Sequence, residues 1–202
     1  MIRQDPSLRI DQVGLPYTVL VITQKAQIEN ILHRMYNISY QEAYDKWYRA
    51  LAKPDPIIVN IIQTIIDNSG PIDPKTGRHM GIPVIINRNP SINYGSILMS
   101  FCVKINLNDY TMSVPLQILR SLAADFDGDV LNIFFIINQA FFERAFQIFN
   151  PRNAMYISRS NGMLNSDVLV QRDTLINANT LEGLTKDRYT EEELAELKSI
   201  AC

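Results

Sequence analysis

Cysteine is scarce in this chain: Cys102 and Cys202 are the two thiols in 202 residues. They form no CxxC pair, and two thiols cannot supply the four ligands of a structural zinc site. Both read as simple thiols, one buried and one terminal. A basic excess is missing too, since 19 Lys and Arg face 21 Asp and Glu, for a net charge of -2. A free-standing nucleic-acid-binding module draws most of its affinity from phosphate neutralisation, so this balance argues against one. It leaves room for a subunit whose partners provide the positive channel. Long apolar runs are also absent: stretches such as Leu131 to Asn138 are too short and interrupted to span a bilayer. The start, Met1-Ile2-Arg3-Gln4-Asp5-Pro6, is too polar for a signal peptide, and the expected compartment is reducing and intracellular. The sequence shows no internal repeat, low-complexity stretch or long linker.

What is present suits a folded domain. Hydrophobic residues make up 47% and charged residues 20%, enough for one large core or two small ones. The patterning predicts helices first, strands in the middle, and helices again. Residues 23–36 suit a helix. Ser39-Tyr40-Gln41-Glu42 is a capping box, and its helix should run to about Ala52, stopping before Pro54. Ile57 to Asp67 is a third helix, apolar nearly all round. Pro74-Lys75-Thr76-Gly77 reads as a turn. Gly81–Asn87, Ser96–Ile105, Tyr110–Val114 and Val130–Ile137 are predicted strands. Asn138 should cap a helix over Gln139–Phe149 that Pro151 terminates. Thr190-Glu191-Glu192-Glu193 is a second capping box, opening a helix to about Ile200.

The chemistry concentrates at Asp125-Phe126-Asp127-Gly128-Asp129. In an extended segment, alternate residues project to one side, and Gly128 permits a tight bend. Three converging carboxylates repel one another and a hard divalent cation relieves that repulsion; oxygen-only ligation favours Mg²⁺. A calcium loop of the EF-hand type is excluded, because Val130 and Ile136 stand where it needs Gly and Glu. A solvated acidic turn is the commonest fate of Asp-Gly sequences. It fits poorly here, where Phe126 interrupts the loop and apolar runs flank it.

The string Ala123-Ala124-Asp125-Phe126-Asp127-Gly128-Asp129 closely resembles the NADFDGD signature of the largest (β′-type) subunit of multisubunit DNA-directed RNA polymerases. Further segments occur in the matching order. Leu8-Arg9-Ile10-Asp11-Gln12-Val13-Gly14-Leu15-Pro16 resembles that family's LxxxQxGLP stretch. Asn87-Arg88-Asn89-Pro90-Ser91 resembles NRAPTLH, and Val114-Pro115-Leu116 sits where the family has HPL. The resemblance covers roughly residues 7–180. It implies an α+β fold, a double-psi β-barrel with preceding and following helices. The implied division is a helical segment over 1–70, the barrel with the Asp triad over 71–138, and C-terminal helices over 139–202.

By this resemblance Asp125, Asp127 and Asp129 hold Mg²⁺ for two-metal nucleotidyl transfer from NTPs to the RNA 3′ end. Arg88 stands near the incoming ribose and Pro90 shapes the same floor, while Asn87 is structural. One departure is Ala123, where the family has an asparagine that helps recognise the sugar. A second is an insertion around Arg78-His79-Met80, which reads as a longer hairpin with a surface histidine. The chain is too short for the family's zinc head, clamp, bridge helix and trigger loop. It is therefore expected to be a piece of the enzyme, inactive without other polymerase subunits, with DNA template, RNA product and NTPs as partners and no membrane. It is either an excised fragment or a naturally split gene product, and the divergent flanks and Ala123 fit a split viral large subunit, working in a host cytoplasm or packaged in a virion. Two other readings are an RNA-templated polymerase of the two-barrel type, which the upstream segments disfavour, and a non-catalytic polymerase-like interaction protein, which the intact aspartates disfavour.

Overall fold

Local signals fix the helical part. A computed structural model describes residues 1–91 and 96–154, apart from the side chains of Arg120, Asn153 and Ala154. Helix α3 (Tyr40–Ala50) opens on the Ser39 capping box: the Ser39 hydroxyl accepts the Glu42 amide, and the Glu42 carboxylate accepts the Ser39 amide. Helix α4 (Pro56–Asp67) starts with Pro at its first position, while the Asp55 carboxylate accepts the Ile57 amide at 2.7 Å. It buries Ile58, Ile61, Ile62, Ile65 and Ile66, the spacing of one helical face. Each buried isoleucine contributes about 1.5–3 kcal/mol of transfer free energy. Helix α2 (Lys25–Tyr36) ends at Asn37, which adopts the left-handed conformation that asparagine tolerates. It follows directly on α1 (Tyr17–Thr23), a helix that the patterning did not mark.

The middle of the chain forms a six-stranded mixed sheet. Its strands are β1 (Ile2–Gln4), β2 (Gln12–Pro16), β3 (Ile82–Asn87), β4 (Ile97–Asn106), β5 (Met112–Val114) and β6 (Asn132–Phe135). Their order is β1-β5-β2-β4-β3-β6. Four of them match the expected strand segments, with β6 shorter than Val130–Ile137. β1 and β2 are additions from the leading segment, and each pairs in parallel with a strand about a hundred residues away in sequence. A 3-10 turn (Leu116–Ile118) and the short helix α5 (Leu119–Leu122) follow β5.

The sheet is covered on both faces. Along β4, Leu98 and Cys102 join the main core with α1 to α4, while Met99 and Phe101 point to a second core. There α6 (Gln139–Phe149) lays Phe142 and Phe146 edge-on to Phe101. Asn138 caps α6 as expected, its side-chain oxygen accepting the Phe141 amide. Pro151 ends that helix and also begins another, α7 (Pro151–Ala154), because its fixed φ suits a first helical position. Burial pushes the Cys102 thiol up to about 12, so it is an inert packing residue.

The hairpin expected before β3 is present. Ile72 and His79 bridge across the Pro74–Gly77 turn, and His79 is exposed with Nδ1 2.8 Å from the Gly70 carbonyl oxygen. Gly81, which leads into β3, has φ +107, and a β-carbon there would lie 2.3 Å from the Cys102 carbonyl oxygen. Only glycine fits that approach. The predicted helix after Thr190 lies outside the described residues.

Candidate metal centre

The loop that carries the aspartates hangs between α5 and β6. Its entry is set by a helix stop. Ala123 is left-handed with φ 49, and the Ala124 amide reaches back to the Leu119 carbonyl at 2.9 Å. That bond is the 6→1 closure of a Schellman motif. A left-handed residue with a β-carbon costs about 1 kcal/mol, and asparagine tolerates the position better than alanine. The departure at Ala123 thus falls on a strained backbone position.

The stretch 125–129 is bent rather than extended, so convergence does not come from strand alternation. The Asp125 amide donates to Asp129 Oδ2 at 3.0 Å, and the Asp127 amide to Asp125 Oδ1 at 3.4 Å. Gly128 has φ +132 with open space around it, so backbone strain alone selects glycine there. The result brings one carboxylate oxygen from each of Asp125, Asp127 and Asp129 within 4.8 Å of one another. Asp125 and Asp127 are exposed and Asp129 is half-buried.

Arg88 joins them from just beyond β3. Its Nε donates to Asp129 Oδ2 at 2.8 Å and its Nη2 to Asp129 Oδ1 at 3.1 Å, a two-point pair. That bonding holds the Asp129 carboxyl below the usual range and raises Arg88 further. Asp127 behaves oppositely: its hydrogen-bonding contact with Asp125, and the negative charges of Asp125 and Asp129, push its carboxyl up. Three acids and one arginine leave a surplus of negative charge. A divalent cation fits that donor set: oxygen ligands only, close enough to share one ion, with the repulsion at Asp127 as the strain that an ion removes.

Pro90 is not brought into this contact. It is exposed two residues past Arg88, joined to Asn89 by a cis peptide bond, and makes no polar contact with the triad among the described residues. The Asn87 side chain donates to Asn89 Oδ1 and accepts from the Ser91 hydroxyl. Sequence reasoning missed two features. The Ile2 amide donates to the Asp129 carbonyl at 3.0 Å, tying β1 to the loop. Asp11 and Asp73, both buried, meet Arg152 of α7, and Asp73 also meets Arg9. Acids set among apolar residues, such as Asp11 before Val13, are the signal that could have flagged such partners.

The fold and the loop together define an α+β domain that presents a carboxylate cluster and an arginine at one edge. The profile of the family described as RNA polymerase Rpb1, domain 2, matches residues 1–148, and the chain belongs to that family, as part of a largest-type subunit of DNA-directed RNA polymerase. It is 31% identical over 143 residues to the DNA-directed RNA polymerase subunit Rpo1N of Sulfolobus acidocaldarius. That match covers 66% of this chain and 16% of the relative's length.

Proposed function

We propose that this chain supplies the metal-binding loop of a DNA-directed RNA polymerase that transfers nucleotides from NTPs to an RNA 3′ end. The observation that carries the reading is the convergence of Asp125, Asp127 and Asp129 oxygens within 4.8 Å, on a loop inside the family match. Divalent ions, Mg²⁺ above all, would activate a 3′-hydroxyl and neutralise a triphosphate there. The three carboxylates hold and orient; their flexibility is limited by the Asp125 amide and Arg88, which fix Asp129. Arg88 is also the residue assigned to the incoming ribose, where guanidinium N–H groups can meet sugar hydroxyls. Pro90 shapes the chain next to it.

The double-psi β-barrel belongs to the same reading. The parallel pairs β1–β5 and β2–β4 support it, as does the Ile2-to-Asp129 hydrogen bond, which ties one edge strand to the loop that leads into the other. The core over 71–138 then borrows β1 and β2 from the leading segment, with α6 and α7 packed outside. The chain works only with other polymerase subunits, a β-type partner and the remaining β′ pieces, on a DNA template in the cytoplasm. No described helix is long and apolar enough to cross a membrane. A split viral origin accords with Ala123 and the divergent flanks.

The test is Asp127→Ala in the assembled polymerase. RNA synthesis should fall on the order of a thousandfold or more, with subunit assembly intact. Retained synthesis overturns the proposal.

A further inference from the structure

Asp129 is the most heavily committed acid of the triad. It accepts two bonds from Arg88 and one from the Asp125 amide, at 2.8, 3.1 and 3.0 Å. An ionised carboxylate offers about four lone-pair sites. A cation that takes Asp129 as a ligand therefore meets a nearly filled acceptor, and it meets a guanidinium of its own sign beside it. Asp125 and Asp127 present no such obstacle, since their hydrogen-bonding is confined to the loop itself. Arg88 Nη1 has no partner among the described residues, so this guanidinium already turns one edge away from Asp129.

From this geometry we infer that Arg88 and a divalent ion compete for Asp129, so that filling the triad loosens Arg88 and makes its guanidinium available to oxygen acceptors of an incoming nucleoside triphosphate. The inference rests on the metal reading above and goes beyond it. Arg88 becomes a positioning residue whose availability depends on the ion, rather than a fixed sugar contact. The coupling is reciprocal: whatever draws Arg88 off Asp129 strengthens ion binding by the same factor. The arrangement favours the ion and nucleotide arriving together over either alone.

Two measurements on the assembled polymerase test it without reading activity. In the first, Fe²⁺ replaces Mg²⁺ and hydroxyl-radical cleavage of this chain beside Asp127 is titrated. Arg88→Gln should lower the half-saturating Fe²⁺ concentration roughly fivefold or more, the lower end of ordinary coupling strengths. Arg88→Lys, which keeps the charge and loses the two-point pair, should fall between. In the second, phenylglyoxal labelling of Arg88 is followed by mass spectrometry. Labelling should rise roughly fivefold when Mg²⁺ is added to the wild type, and should not respond to Mg²⁺ in Asp127→Ala. Unchanged or weaker Fe²⁺ binding in Arg88→Gln overturns the competition, as does Arg88 labelling that stays level or falls with Mg²⁺. Absence of cleavage near Asp127 in the wild type is a different failure: it overturns the metal site itself.

Discussion

Two of the places where aspartates meet arginines in this chain stand under opposite conditions. At the first, Asp11 and Asp73 are 0% and 1% exposed, and Arg9 and Arg152 answer them in equal number. Arg152 Nε lies 2.7 Å from Asp11 Oδ2, a close charge contact without a well-aligned hydrogen bond. The pair pins α7 to the segment before β2. At the second, the triad is largely exposed and three acids share one arginine. Burial demands that charge be cancelled, and two arginines set against two aspartates do that. Exposure tolerates a surplus, and a surplus is what an incoming cation needs. The contrast teaches that charge balance, more than the presence of acids, separates a structural cluster from a ligand site.

Breaking the buried side should give the largest effect on stability. Arg152→Met strands the Asp11 charge and should cost about 3 kcal/mol, read from the urea midpoint of the chain. Adding Asp11→Asn should recover most of it. The matching change at the half-buried Arg88–Asp129 pair, Arg88→Gln, should cost less, about 1 kcal/mol, because the acids there keep access to solvent. Equal losses in the two variants would erase the comparison.

The helix stop that aims the triad offers a smaller effect of opposite sign. Ala123→Gly should relieve the left-handed strain and stabilise the chain by about 1 kcal/mol, measured the same way. A destabilised Ala123→Gly chain would show that the alanine side chain matters more than its backbone.

Another ion pair lies between the two extremes, with Asp5 8% exposed and its partner Lys104 46% exposed at the side chain. Bonding from Lys104, aided by Ser7, lowers the Asp5 carboxyl from an ordinary 3.8 to about 2. A lowered folded-state value means the stabilisation is present above pH 3.8 and is lost as pH falls from there to about 2. Solvent around Lys104 limits it to about 1 kcal/mol. Asp5→Asn should flatten that part of the stability curve in acid unfolding, and an unchanged slope would remove the pair from the account.

Legibility in the sequence followed the range of the interactions. The Ser39 box, the Asn138 cap and the period of α4 are set by residues within eight positions of each other, and they were readable. α1 leaves no legible signal, because Tyr17–Thr23 is too short and too apolar to show a period. β1 and β2 are not legible either, because three- and five-residue strands carry little pattern and their partners lie far along the chain. Pro151 shows only its stop signal in the sequence: it ends α6, but the same ring geometry starts α7.

The same division applies to the site. The spacing of Asp125, Asp127 and Asp129, with Gly128 among them, belongs to the sequence alone, because five adjacent residues need no partner to be seen. The order of the flanking segments likewise carried the family resemblance. That the three carboxylates converge through a bend and not along a strand was decided by the Schellman stop at Ala123 and by the carboxylate of Asp129 turning back onto the Asp125 amide. That Arg88 reaches Asp129, 41 residues away, was decided by β3 and β6 pairing side by side, with Asn87 opposite Asn132. Hydrogen-bonded strands bring distant residues to about 5 Å, a proximity that only a folded sheet creates.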